Sequence, residues 1–62
     1  MPETTEIRIL TPAQENQARV MARQNALAIH FRPLEAFLPG EGTGAVVAIA
    51  HGATAAAWLA AF

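Results

Sequence analysis

The distribution of charge is the feature of this sequence that most constrains its fold. All nine charged side chains lie between Glu3 and Glu41, and residues 44–62 carry none. This uncharged segment is 19 residues long, has no proline, and contains His51 as its one ionisable side chain. As an α-helix it would rise about 28 Å, close to the roughly 30 Å hydrocarbon thickness of a bilayer. The segment therefore predicts a single transmembrane helix.

The composition of this segment is only weakly hydrophobic, because nine of its 19 residues are alanine. We therefore expect neighbouring helices or a bound apolar cofactor to hold it in the membrane. An alanine-rich helix buried in a soluble complex is the alternative that this composition leaves open. All four arginines precede the segment, so the positive-inside rule predicts a cytoplasmic N-terminus.

A second helix is predicted before the span. Thr11 is a suitable N-cap, Pro12 fits the first helical position, and Gln14 stands at the capping-box position. These features predict an amphipathic helix over 12–32. This helix is expected to lie on the cytoplasmic surface of the membrane, with Arg19 and Arg23 reaching lipid phosphates, although a packing helix inside a multi-subunit complex fits the pattern equally well.

Two less regular segments complete the predicted domain organisation. Residues 1–11 form an N-terminal arm, in which the alternation over 6–10 suits an extended chain. Residues 33–43 form an elbow that is rich in proline and glycine. The predicted fold is all-α, a single-span helix over 44–62 that follows an interfacial helix and this elbow.

The composition argues against an enzyme. The chain contains no serine, aspartate, cysteine, lysine or tyrosine, so Ser-His-Asp catalysis, disulfides and thiolate zinc sites are excluded. Its net charge of −1 provides no basic excess for nucleic-acid binding. His30 is interpreted as a surface or interface side chain.

His51 is the candidate functional residue, because a polar group in the middle of an apolar span is costly and usually functional. A hydrogen bond from another helix and ligation of a metal-centred cofactor both remain open, as does a core histidine in a soluble protein. A flat macrocycle needs small residues beside its ligand, and Ala48, Ala50, Gly52, Thr54 and Ala55 supply them. Trp58 lies two helical turns further along and could contact the edge of a ring.

Small residues also recur at every fourth position of the predicted span. This ladder of the small-xxx-small type favours close packing against neighbouring helices. It comprises Gly44, Ala48, Gly52, Ala56 and Ala60.

Two stretches of the sequence resemble the small antenna polypeptides of purple and related phototrophic bacteria. Residues 45–51, Ala-Val-Val-Ala-Ile-Ala-His, are similar to the stretch that leads to the pigment histidine of their beta-type chains. Residues 10–14, Leu-Thr-Pro-Ala-Gln, are similar to the start of their N-terminal helix. Trp58 is comparable to a downstream aromatic residue that contacts the pigment.

The resemblance implies a beta-like or accessory chain of a light-harvesting or reaction-centre complex. His51 would then ligate the magnesium of bacteriochlorophyll, Thr54, Ala55 and Trp58 would line the pigment site, and the alanine-lined grooves could hold carotenoid. The chain would perform no chemistry. It would belong to a hetero-oligomer with other single-span antenna or reaction-centre subunits, in the inner photosynthetic membrane of a bacterium.

Two further functions are left open by the sequence. One is a pigment-free, single-span accessory subunit that stabilises a respiratory or photosynthetic membrane complex. The other is a helical adaptor that stays in solution without detergent.

Overall fold

The computed structural model describes residues 4–40 and 44–62, and within them a three-stranded sheet packs against two helices. The strands are β1 (Thr5–Leu10), β2 (Ile29–Pro33) and β3 (Val46–His51). The helices are α1 (Pro12–Gln24) and α2 (Ala53–Ala60), and a 3-10 turn at Leu34–Ala36 follows β2. The order along the chain is β1, α1, β2, β3, α2.

The sheet has the order β1-β3-β2, with β3 in the centre and antiparallel to both neighbours. β1 and β2 therefore run in the same direction, and α1 connects them. This arrangement is a split β-α-β unit, in which a third strand lies between two parallel ones. The register pairs Ile7 of β1 with Ile49, and His30 of β2 with the same residue.

The hydrophobic core lies on one face of the sheet. Residues that pair directly across antiparallel strands share a face, and the three strand residues of the buried core cluster lie on the same one: Leu10, Ala48 and Ala50. The helices contribute Ala18 of α1 together with Ala55 and Leu59 of α2 to this cluster. We call this side of the sheet the helix face and the opposite side the open face.

The start of α1 has the local structure that the sequence predicts. The Thr11 N–H donates to Oε1 of Gln14 over 3.0 Å, and the Gln14 N–H donates to Oγ1 of Thr11 over 3.2 Å. Pro12 is the first helical residue. A capping box of this kind satisfies two backbone donors that a helix N-terminus otherwise leaves unpaired.

The end of α1 differs from the prediction of a helix over 12–32. The helix ends at Gln24, and Ala26 adopts a left-handed conformation with φ 52°. The Leu27 N–H donates to the Ala22 carbonyl over 2.9 Å. This is the 6→1 hydrogen bond of a Schellman C-cap. The residues beyond this turn enter the sheet as β2.

The prediction of an all-α fold with a transmembrane helix over 44–62 is wrong. Residues 46–51 form the central strand, Gly52 has φ 96°, and only Ala53–Ala60 are helical. The β-branched residues Val46, Val47 and Ile49 favour a strand, and pairing on both sides satisfies its backbone. A short apolar run bounded by glycines fits a buried strand as well as a helix.

Among residues 4–40 and 44–62, the structure contains no helix that is both long and apolar enough to cross a membrane. Part of the predicted arm, residues 1–3, lies outside the described residues. The same holds for residues 41–43 of the predicted elbow.

Candidate functional site

The open face presents every second side chain of the three strands. Alternation along the strands places eight residues on it, with β-branched aliphatic side chains in the middle and polar ones around them. They are Thr5, Ile7 and Ile9 of β1, Val47, Ile49 and His51 of β3, and His30 and Arg32 of β2. The helices α1 and α2 pack on the other side of the sheet.

The exposure of this face is highest along β1. Ile7 is 61% exposed and Ile9 is 62% exposed, whereas Val47 between Ile9 and Arg32 is buried. Ile49 is half-buried in the centre of the sheet. The open face therefore contains a strip of aliphatic side chains, and the part of this strip on β1 is the most exposed.

The two histidines of the chain meet on this face. His51 ends β3, and His30 lies on β2 opposite Ile49, so the two side chains are diagonal neighbours. Their ring centroids are 5.1 Å apart and the rings are inclined by 69°, an edge-to-face contact. Sequence reasoning missed this pair because 21 positions separate the residues, and only the pairing of β2 with β3 brings them together.

Chemically, the histidine pair offers two imidazole rings, and the open face as described in residues 4–40 and 44–62 carries no carboxylate beside them. No group of three or more His, Cys, Asp or Glu side chains that could hold a metal ion occurs within residues 4–40 and 44–62. Structural and catalytic zinc sites use at least three protein ligands. By itself the pair supplies fewer ligands than such a zinc site uses.

An open groove of about 300 Å³ borders His51. It lies between the turn after α1 and the beginning of α2, and residues 25–28 and 51–55 line it. Three residues predicted to form the pigment site, His51, Thr54 and Ala55, are among these lining residues. The fourth, Trp58, lies further along α2 and is 43% exposed.

The predicted small-residue ladder is not one helix face in this structure. Gly44 precedes β3, Ala48 is buried in the middle of β3, and Gly52 forms the turn into α2. Only Ala56 and Ala60 lie on a common helix, where Ala56 is buried and the Ala60 carbonyl accepts a hydrogen bond from Arg8. Residues four apart share a face only within a helix, and this segment changes from strand to helix at Gly52.

The arginines predicted to contact lipid phosphates belong to α1. Arg19 bonds through Nε to Glu15 over 2.6 Å, and its guanidinium carbon lies 4.6 Å from the centroid of the Phe31 ring. Arg19 therefore bridges α1 and β2 on the helix face. Arg23 is exposed in the last turn of α1, where a cation interacts favourably with the helix dipole.

Comparison with known proteins identifies no relative: no family model, no curated protein and no solved structure matches this chain.

Proposed function

We propose that this chain is a non-catalytic assembly subunit that docks its open face onto another protein. The observation that carries the proposal is the exposure of Ile7 and Ile9, 61% and 62%, on the side of the sheet opposite both helices. Contiguous exposed apolar side chains with a polar surround are typical of protein contact sites. A partner that covers this face would bury the exposed parts of both isoleucine side chains.

The free energy available from docking is large for so small a chain. Burying an isoleucine side chain fully contributes about 1.5–3 kcal/mol, so covering the exposed parts of Ile7 and Ile9 contributes roughly 2–4 kcal/mol. The stability of a chain of this length is expected to be about 3–9 kcal/mol. This gross burial term is comparable to the stability of the fold, before the free-energy cost of association is subtracted.

The polar residues of the open face support a protein partner. His30 and Arg32 are exposed on β2, and Thr5 is exposed at the start of β1. They surround the aliphatic strip in the way that a polar rim surrounds the apolar core of an interface. The absence of serine, cysteine, lysine and aspartate from the sequence supports a binding role over a catalytic one.

The antenna function stays a prediction of the sequence, as do its bacteriochlorophyll, its carotenoid and its location in the membrane. Those hypotheses depended on a long helix around His51, and His51 ends a strand here. The present proposal keeps one element of the accessory-subunit hypothesis, namely that the chain acts by packing against neighbouring chains.

Photo-crosslinking in the native cells tests the proposal. We would compare Arg32→p-benzoylphenylalanine on the open face with Asn16→p-benzoylphenylalanine, which occupies an exposed position on α1. A protein adduct of discrete mass is expected from position 32 and not from position 16. Adducts of equal yield from both positions, or none from position 32, would overturn the proposal. An adduct with antenna or reaction-centre polypeptides would identify the partner and favour the photosynthetic hypothesis.

A further inference from the structure

We propose that β1 pairs edge to edge with β1 of a second copy of this chain, forming an antiparallel dimer centred on Ile7. This proposal concerns the edge of the sheet and goes beyond the docking of the open face. It rests on the direction of the backbone groups of β1 and on the order of charges along the strand.

The outer edge of β1 has backbone groups that can accept another strand. β1 is an edge strand of the sheet. The Gly52 N–H donates to the Thr4 carbonyl over 2.7 Å, so the backbone groups of Thr4 face the β3 side. Because the N–H and C=O of one residue point to the same side and alternate along a strand, Glu6 and Arg8 also face β3. The N–H and C=O groups of Thr5, Ile7 and Ile9 therefore point away from the sheet.

The charges of β1 select one symmetric register. If the two-fold axis passes at Ile7, then Glu6 of each copy lies opposite Arg8 of the other, and two opposite-charge pairs form. If it passes at Glu6, two carboxylates face each other. If it passes at Arg8, two guanidinium groups do so. Opposite charges in directly paired positions stabilise a sheet and like charges destabilise it.

Both charged side chains have bonding capacity for this contact. Within residues 4–40 and 44–62, Glu6 makes no salt bridge or side-chain hydrogen bond, and Arg8 donates one bond through Nη1 to the Ala60 carbonyl over 3.1 Å. A guanidinium group has five N–H donors, so most of those of Arg8 remain for a carboxylate. Glu6 and Arg8 are half-buried on the helix face, which is the same side of β1.

The apolar residues of β1 are complementary in the same register. Ile7 would face Ile7 of the second copy, and Thr5 would face Ile9, all on the open face. The outward-facing residues of each strand would donate and accept main-chain hydrogen bonds as a continuous ladder. The two open faces would then form one surface of a six-stranded sheet, with a closed two-fold interface.

Sedimentation equilibrium of the full 62-residue chain tests the proposal. We expect a reversible dimer, and Glu6→Arg is expected to raise its dissociation constant roughly 10- to 100-fold, since it replaces both attractive pairs by repulsive ones. The matched control is Glu35→Arg, which makes the same charge change on the exposed 3-10 turn and should leave the constant unchanged. A second control, Arg32→Glu on the open face, should also have little effect.

A mixing experiment tests whether the charges of the two β1 strands face one another. Glu6→Arg and Arg8→Glu should each dimerise poorly alone, whereas an equimolar mixture should form a heterodimer in which every charge again faces its opposite. Circular dichroism of each variant establishes that it is folded. The proposal is overturned by a wild-type chain that stays monomeric at millimolar concentration, by a dimer that Glu6→Arg leaves intact, or by one that only Arg32→Glu weakens. In these three cases the crosslinking result at position 32 would still decide the docking function separately.

Discussion

The two edges of the sheet differ in how many backbone donors they leave for another strand. At the β2 edge, the Ile29 N–H already donates to the Leu27 carbonyl over 3.0 Å, and Pro33 has no N–H to offer. At the β1 edge, Thr5, Ile7 and Ile9 all have outward-pointing N–H groups, and the strand contains no proline.

The direction of the groups on β2 follows from one hydrogen bond. The His51 N–H donates to the Ala28 carbonyl over 2.8 Å, so Ala28 and His30 face β3, and Phe31 faces outward. Three residues of β2 face outward. The N–H of Ile29 is already bonded and Pro33 has none, which leaves the N–H of Phe31. Proline on an edge strand is a recognised protection against unwanted pairing.

The difference between its two edges directs association to one side of this small sheet. A sheet that was open at both edges could add copies without limit, whereas one open edge and one blunted edge allow a closed dimer.

The largest effect is expected from removing the residue that anchors β1 to the core. Leu10 is 2% exposed, so Leu10→Ala should lower the free energy of unfolding by about 2–5 kcal/mol, through lost burial and a cavity. The matched control is Ile9→Ala on the exposed side of the same strand, with an expected loss of about 1 kcal/mol or less. Urea unfolding measures both, and equal losses would contradict the assignment of the two faces.

Proline substitutions separate the inward and outward positions of β1. Glu6→Pro removes an N–H that faces β3, whereas Ile7→Pro removes one that faces outward. We expect Glu6→Pro to be less stable than Ile7→Pro by about 1–3 kcal/mol, because it loses a ladder hydrogen bond. Chemical denaturation at concentrations where the monomer predominates gives this difference, with Glu6→Ala as the side-chain control. A more stable Glu6→Pro would mean that the alternation is reversed.

The turn that leads from α1 to β2 contains a residue in an unfavourable conformation. Ala26 has φ 52°, a region in which glycine avoids the steric cost of a Cβ atom. Ala26→Gly should therefore raise the free energy of unfolding by about 1 kcal/mol. The control is Ala13→Gly in the first turn of α1, which should lower it by a similar amount at most. Thermal unfolding of both variants measures these changes. A lower unfolding temperature for Ala26→Gly than for the wild type would refute the prediction.

The smallest effect on stability is expected from opening the blunted edge. Pro33→Val restores an N–H on the outer side of β2 and should change the free energy of unfolding by less than about 0.5 kcal/mol. Its effect on association should be larger, with species beyond the dimer at high concentration. Sedimentation velocity detects them, and Pro39→Val, at an exposed turn position outside the strands, serves as the proline control. An unchanged distribution would show that Pro33 does not limit pairing.

The parts of the fold that depend on neighbouring residues could be predicted from the sequence. The capping box at Thr11 and Gln14 and the start of α1 at Pro12 involve contacts within one helical turn. The alternation over 6–10 predicted an extended segment, and these residues belong to β1. In each case the signal and the structure lie within the same few residues.

The end of α1 and the fate of residues 44–62 could not be predicted in the same way. Ala26 terminates α1 in a conformation that glycine usually adopts, so the turn is marked by Asn25 at the C-cap, a weaker signal than glycine. In residues 46–51, pairing with β1 and β2 determines that an apolar run with two alanines becomes a strand. Helix propensity is a weak preference that tertiary contacts override.

The candidate site shows the same division. The amino-acid sequence alone gives the available residue types, the lack of serine, cysteine and lysine nucleophiles, and the local cap of α1. Strand pairing is needed for the contact between His30 and His51, for the position of Ile7 and Ile9 opposite the helices, and for the place of β1 at the sheet edge. The physical reason is that strand register joins residues far apart in the chain, whereas capping and composition act locally.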